Sequence, residues 1–299
     1  MRPPSWLDVL ESWQLDPGLL LGLALTVTLY LLGVRRAGRR GGQHRSGWPL
    51  TRTVAFLAGV AAVAVALESG LDGYAAELLS IHMVQHLVLA LVAAPLLLAG
   101  APVTLALRSL PRDPRRWLAR ALRGPTARVL AHPGTGLLAL GISMLLTHLT
   151  PLYGWALEHP LVHDAEHLLY LGCGLLFWAV LVAPGPPVRR VDGMAQVLYL
   201  SVGMPLMSAV GVVLEADPTA RFNQYLAPAR GLGVSALSDQ RLAGALMWIA
   251  GGLAMGVIGL SIAWRALVAE ERRAVAREVH AARAADTPLT LDAAARGPA

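Results

Sequence analysis

Residues 81–102 read IHMVQHLVLALVAAPLLLAGAP. Apart from two histidines and one glutamine the run is apolar, and about 20 such residues match the hydrocarbon thickness of a bilayer. The stretch therefore reads as a membrane-crossing helix. His82 and His86 stand four residues apart at its start, on one helix face. Imidazoles are costly in lipid, so the pair calls for an explanation.

Outward from this stretch the pattern repeats. The chain of 299 residues is 55% hydrophobic and 15% charged, with a mean hydropathy of +0.54. Soluble domains carry roughly 25% charged residues. Apolar runs recur at about 18–34, 51–67, 81–107, 129–148, 162–183, 194–214 and 240–264. They predict an all-α integral membrane protein, a bundle of seven transmembrane helices within residues 18–264. A short amphipathic interfacial segment over 1–17 is expected before it, with Ser5 as a cap and Trp6 and Trp13 as interfacial anchors. No cleavable signal peptide is read there. After the bundle, residues 265–299 read as a cytoplasmic helical extension that fades into a disordered tail.

Arginine sets the orientation. The net charge of +6 contains no lysine, and 21 of the 25 arginines fall in the first, third and fifth connections or after the last span. Arg2, Arg221, Arg230 and Arg241 are the four on the other side. The positive-inside rule then predicts an outer N-terminus and a cytoplasmic C-terminus in a multi-pass bacterial plasma-membrane protein. The same alternation argues against a nucleic-acid partner despite a pI near 10.2. The single cysteine, Cys173, excludes an internal disulfide and a CxxC site and reads as a packing residue. Pro95, Pro102 and Pro205 lie inside spans, where each is expected to kink or end its helix and leave a carbonyl in need of a partner.

With the orientation set, depth follows at 1.5 Å per residue. Counting from the arginine end of each span puts His82, His86, His148, His163 and His167 within a turn or two of one plane on the outer side. One histidine near a membrane boundary is ordinarily an interfacial anchor. Five on three helices at one depth point to a site. His82/His86 and His163/His167 are both i,i+4 pairs, the spacing with which a single helical turn chelates a metal ion. The two segments, HMVQHLVL and HDAEHLLY, share the pattern H-x-x-[QE]-H-L. Gln85 and Glu166 therefore occupy matching places, either steadying an imidazole or bonding between helices. Met83 and Met144 lie near the histidine layer, with Met204, Met207 and Met247 further in; apolar packing is the plain explanation for each. A thioether beside imidazoles would favour copper, especially Cu(I), over zinc or iron. His159 reads as a cap, and His44, His132 and His280 carry no special signal.

The segments HMVQHLVLALVAAPLLLAGAPVTLALR, THLTPLYGWALEHPLVHDAEHLLYLGCGLLFW and DQRLAGALMW resemble the multi-span CtaG family of cytochrome c oxidase assembly factors, over most of residues 50–265. The resemblance implies a protein needed to mature a haem-copper oxidase and thought to supply or insert copper. Its partners would be oxidase subunits and an extracytoplasmic copper donor. His82, His86, His148, His163 and His167 match the family's histidines; the methionines belong to the chemical reading alone.

Three other functions fit some of these residues. A b-type haem could take His86 with His167 or His148 as axial ligands, though it would leave the i,i+4 pairing unexplained. A channel, metal-ion transporter or receptor could use the histidines for gating or binding. A di-metal hydroxylase is chemically conceivable but would place its site towards the cytoplasm. The copper chaperone function requires no covalent catalysis, and no enzyme is expected.

Overall fold

The computed structural model describes residues 12–40, 47–182 and 193–285, and among them every regular element is helical. Six helices are long and apolar enough to cross a membrane: α1 (Pro17–Arg39), α2 (Leu50–Glu68), α3 (Leu79–Ser109), α5 (Pro160–Val182), α6 (Met194–Ala216) and α7 (Ala236–Trp264). At the remaining expected span, the fourth along the chain, stands a bent pair of helices. Its helix α4, Pro133–Leu149, meets the short helix Leu152–Glu158 at 73°, and only the pair together passes as a span. Pro151 explains the break, since it offers no amide to the preceding turn. At the other end α4 starts later than the apolar run suggests. The His132 side chain accepts a hydrogen bond from the Gly134 amide, and Pro133 takes the first helical position.

Of the expected interfacial segment, only residues 12–17 lie within the described residues; Trp13 is exposed. Arg189 and Arg190 also fall outside them, as does the tail beyond Ala285. The last helix continues to Ala285.

Helix α3 lies between α2 and α5; α5 packs on α4, α4 on α6, α6 on α7, and α7 returns to α3. Five helices thus close a ring, with α2 and then α1 packed outside α3. α1 is the most peripheral, with 11% of its apolar window buried, against 50% for α5. Leu21, Leu25, Leu29, Leu168, Leu198, Leu253 and Leu260 are exposed on this outer surface, where lipid is the matching solvent.

The prolines act where the sequence places them, by distinct means. Ahead of Pro95, α3 loosens into a π-helical turn over Val88–Ala93, and the Ala94 amide bonds to Leu89 O. That frees Ala90 O, which accepts a hydrogen bond from Trp178 Nε1 of α5 at 2.9 Å. Before Pro102, Ala101 adopts a left-handed conformation (φ 53°), and Gly100 O accepts from the Tyr30 hydroxyl of α1 at 2.8 Å. Pro205, by contrast, is carried within a continuous α6. Close approach needs small residues: a Cβ on Gly244 of α7 would lie 2.5 Å from Gly211 O of α6.

Candidate metal centre

The first turns of α3 and α5 and the last turn of α4 meet inside the ring, at the end opposite the arginine-rich connections. All five sequence-selected histidines gather there. His82, His86, His148 and His167 are buried, and His163 is half-buried nearer the surface. His82 Nε2 and His86 Nε2 are 2.9 Å apart. The His82 ring is 5.1 Å from that of His163 and 6.4 Å from that of His167, centroid to centroid, and His163 and His167 are 4.2 Å apart. One ligand atom from each of His82, His86 and His167 can be chosen so that all three lie within 4.8 Å of one another. Imidazoles around a tetrahedral ion have nitrogens about 3.3 Å apart, so small side-chain adjustments close the triad.

Hydrogen bonding sets the tautomers. Tyr225 donates its hydroxyl proton to Ala75 O at 2.9 Å and so can only accept from His82 Nδ1, 3.1 Å away, and from the Tyr153 hydroxyl at 3.0 Å. His82 therefore carries its proton on Nδ1 and turns an electron pair on Nε2 inward. His86 Nε2–H donates to that pair, which leaves His86 Nδ1 buried and unpartnered. An ion held here would take the place of the proton shared by the two imidazoles. Burial pushes the Tyr225 hydroxyl upward from its ordinary range, so it stays a neutral phenol.

His148 belongs to neither group of close ligand atoms, although its ring is 6.4 Å from that of His86. Its Nδ1 lies 3.0 Å from Met144 O, 2.9 Å from Thr147 Oγ1 and 3.2 Å from the Tyr170 hydroxyl, and its Nε2 lies 3.2 Å from Met83 Sδ. An ion about 2.0 Å from that nitrogen and about 2.3 Å from the sulfur would subtend roughly a right angle. Met144 and Met207 are buried in the main core, which extends to Met83 as well. No hydrogen-bond or ring contact ties Met207 to the histidines.

Glu166 turns inward, its Oε2 4.0 Å from His82 Nε2, and both of its oxygens are buried without a hydrogen-bond partner. Gln85 bonds between helices: its amide donates to Ala66 O of α2 at 3.0 Å and to Asp72 Oδ1 at 2.8 Å. His159 bonds Trp155 O within its own turn.

Several residues of the centre carry no signal in the sequence. Asp72, in the short helix Gly70–Ala75, lies with His163 and His167 in a second group of ligand atoms, again within 4.8 Å of one another. Burial raises its carboxyl above the ordinary range, and the Gln85 hydrogen bond opposes this. Tyr170 stacks on His86 at 3.9 Å and hydrogen-bonds Thr147 at 2.5 Å. Behind these, Asp239 of α7 accepts from the amide and hydroxyl of Ser80, fixing the start of α3. Its neighbour Gln240 holds the loop before Tyr225 through the Arg221 amide and Thr219 O. A cleft between residues 148–158 and 221–224 opens from this end down to His148.

The unpartnered Nε2 atoms of His163 and His167 and the two unpartnered Glu166 oxygens, with the facing Nε2 atoms of His82 and His86, are donors a transition-metal ion would satisfy.

Uncharacterised proteins of Mycobacterium bovis and Mycobacterium tuberculosis are each 31% identical over 291 residues, covering 93% of this chain and 42% of their own length. One from Mycobacterium leprae is 28% identical over 292 residues, covering 94% of this chain and 43% of its own. The chain thus spans less than half the length of these relatives. No solved structure matches. The family model described as cytochrome c oxidase caa3 assembly factor (Caa3_CtaG) matches residues 28–268, which include α2–α7 and every residue of the centre. The chain belongs to that family of multi-pass assembly factors.

Proposed function

We propose that this protein holds copper as cargo and supplies it during maturation of a haem-copper cytochrome c oxidase in the bacterial plasma membrane. The observation that carries this is the buried triad of His82, His86 and His167, whose nitrogens meet within 4.8 Å. Met83 Sδ, 3.2 Å from His148 Nε2, adds a soft donor, which favours copper over zinc. The family supplies the oxidase. Copper is substrate here and leaves by ligand exchange, so no covalent catalysis is involved.

The orientation proposed from the arginines puts the histidine end outside, where an extracytoplasmic donor and oxidase subunits would meet it. Surplus imidazoles suit a carrier: the ion can exchange one ligand at a time and is never left bare.

A bis-histidine haem fits less well. It would use one imidazole from each of two helices and needs a flat slot between them. Tyr170 stacked on His86 and Tyr153 stacked on His148 at 5.5 Å occupy that space.

The test is elemental analysis with an optical spectrum of the detergent-purified chain after copper loading. A variant with His82, His86, His163 and His167 changed to alanine is run beside it. Copper retained by the native chain and lost from the variant is the expected result. Equal copper in both, or a strong Soret band, would overturn the proposal.

A further inference from the structure

His167 belongs to both groups of ligand atoms, one with His82 and His86 and one with Asp72 and His163. The two groups differ in depth. Every member of the first is buried, whereas Asp72 and His163 are half-buried. They also differ in chemistry, since three neutral imidazoles face two imidazoles and a carboxylate. We propose that Asp72, His163 and His167 form a shallow receiving position for a divalent metal ion. From it the ion passes to the deep triad with His167 as the ligand common to both. This rests on the copper-holding function proposed above and adds to it a route of entry.

The shallow position has the features of a built site. His163 Nε2 and His167 Nε2 are buried without hydrogen-bond partners. Asp72 is held in place because Gln85 donates to its Oδ1 at 2.8 Å and to Ala66 O at 3.0 Å, tying the carboxylate to α2 and α3. Gln85 thereby acts as a positioning residue for Asp72. A carboxylate near the surface attracts a hydrated cation, and its harder oxygen suits Cu(II) or Zn(II). The deep triad has no carboxylate among its three ligands, and the carboxylate beside it, Glu166, stands 4.0 Å from His82 Nε2.

The shared residue links the two positions. With His167 Nε2, the nitrogen without a hydrogen-bond partner, as the ligand in both groups, a single ion occupies them in turn. Passage inward breaks the bonds to Asp72 and His163 and makes bonds to His82 Nε2 and His86, while the bond to His167 persists. The metal's charge does not change. His86 remains neutral by carrying its proton on Nδ1, the atom now without a partner. Ring centroids of 4.2 Å for His163–His167 and 5.1 Å for His82–His163 keep the transfer within one side-chain rotation.

The test measures Cu(II) uptake by the detergent-purified full chain in stopped flow, with a chromophoric chelator as donor and final copper content by elemental analysis. Asp72→Asn preserves an acceptor for Gln85 and removes the charge. Both it and His163→Ala are expected to reach the native copper content at least 10-fold more slowly, and Asp72→Glu to recover much of the rate. His82→Ala/His86→Ala should take up copper rapidly but release it to the chelator at once. Native rates in Asp72→Asn and His163→Ala would overturn the relay. So would loss of copper at equilibrium in both, which would mean one site in place of two. No copper in the native chain would instead overturn the copper-holding function, and the relay with it.

Discussion

His82 is oriented from behind. Tyr225 accepts its Nδ1–H while donating to Ala75 O, and that pairing leaves Nε2 as the atom facing His86. Outer partners of this kind typically change metal affinity 10–100-fold when removed. Tyr225→Phe is therefore expected to weaken copper binding by that range without unfolding the protein. A competition titration against a calibrated chelator reads it, and unchanged affinity would show that the tautomer is set by other contacts. The five histidines and the i,i+4 pairing were legible in the sequence because helical periodicity converts spacing directly into a shared face. Tyr225 was not, since it lies 143 residues from His82 in a connection without periodicity. Asp72 escaped notice for a related reason. A single acidic residue between spans is ordinarily solvated, and only the fold turns it towards His163.

At the level of elements, the histidine layer depends on helices that carry no histidine. α7 reaches the start of α3 through Asp239 and Ser80, and α7 is seated on α6 where Gly244 meets Gly211. A Cβ on Gly244 would also lie 2.7 Å from the Glu215 amide, so the backbones must separate. Gly244→Leu is expected to cost about 1–3 kcal/mol. It should lower the melting temperature in detergent and weaken metal binding together, because α7 also supports the loop holding Tyr225. Gly172→Ala, with nothing within 4 Å of the added carbon, is the control and should alter neither. Six spans were readable from apolar run length, but the 73° bend after α4 and the π turn in α3 were not. Both arise where a proline's missing hydrogen bond is resolved locally, and the choice of partner, Trp178 for Ala90 O, is made by a neighbouring helix.

For the whole molecule, the proposed orientation makes a direct prediction. Cys173 is the single cysteine and is buried, so cysteines introduced at Asn223 and Trp117, both exposed, report on opposite ends of the bundle. In intact cells a membrane-impermeant maleimide should label Asn223→Cys at once and Trp117→Cys only after permeabilisation. The reverse pattern would put the histidine end in the cytoplasm and remove the argument for an extracytoplasmic donor. Apolar run length, arginine asymmetry and histidine spacing are local properties, so the sequence alone determined the membrane class and the predicted orientation and histidine depth. Which nitrogens face one another, that His148 pairs with Met83 outside the triad, and that Asp72 shares His167 with the deep site were decided only by the tertiary structure. Those relations depend on how the helices are rotated and ordered around the ring, and rotation is set by packing between residues far apart in the chain.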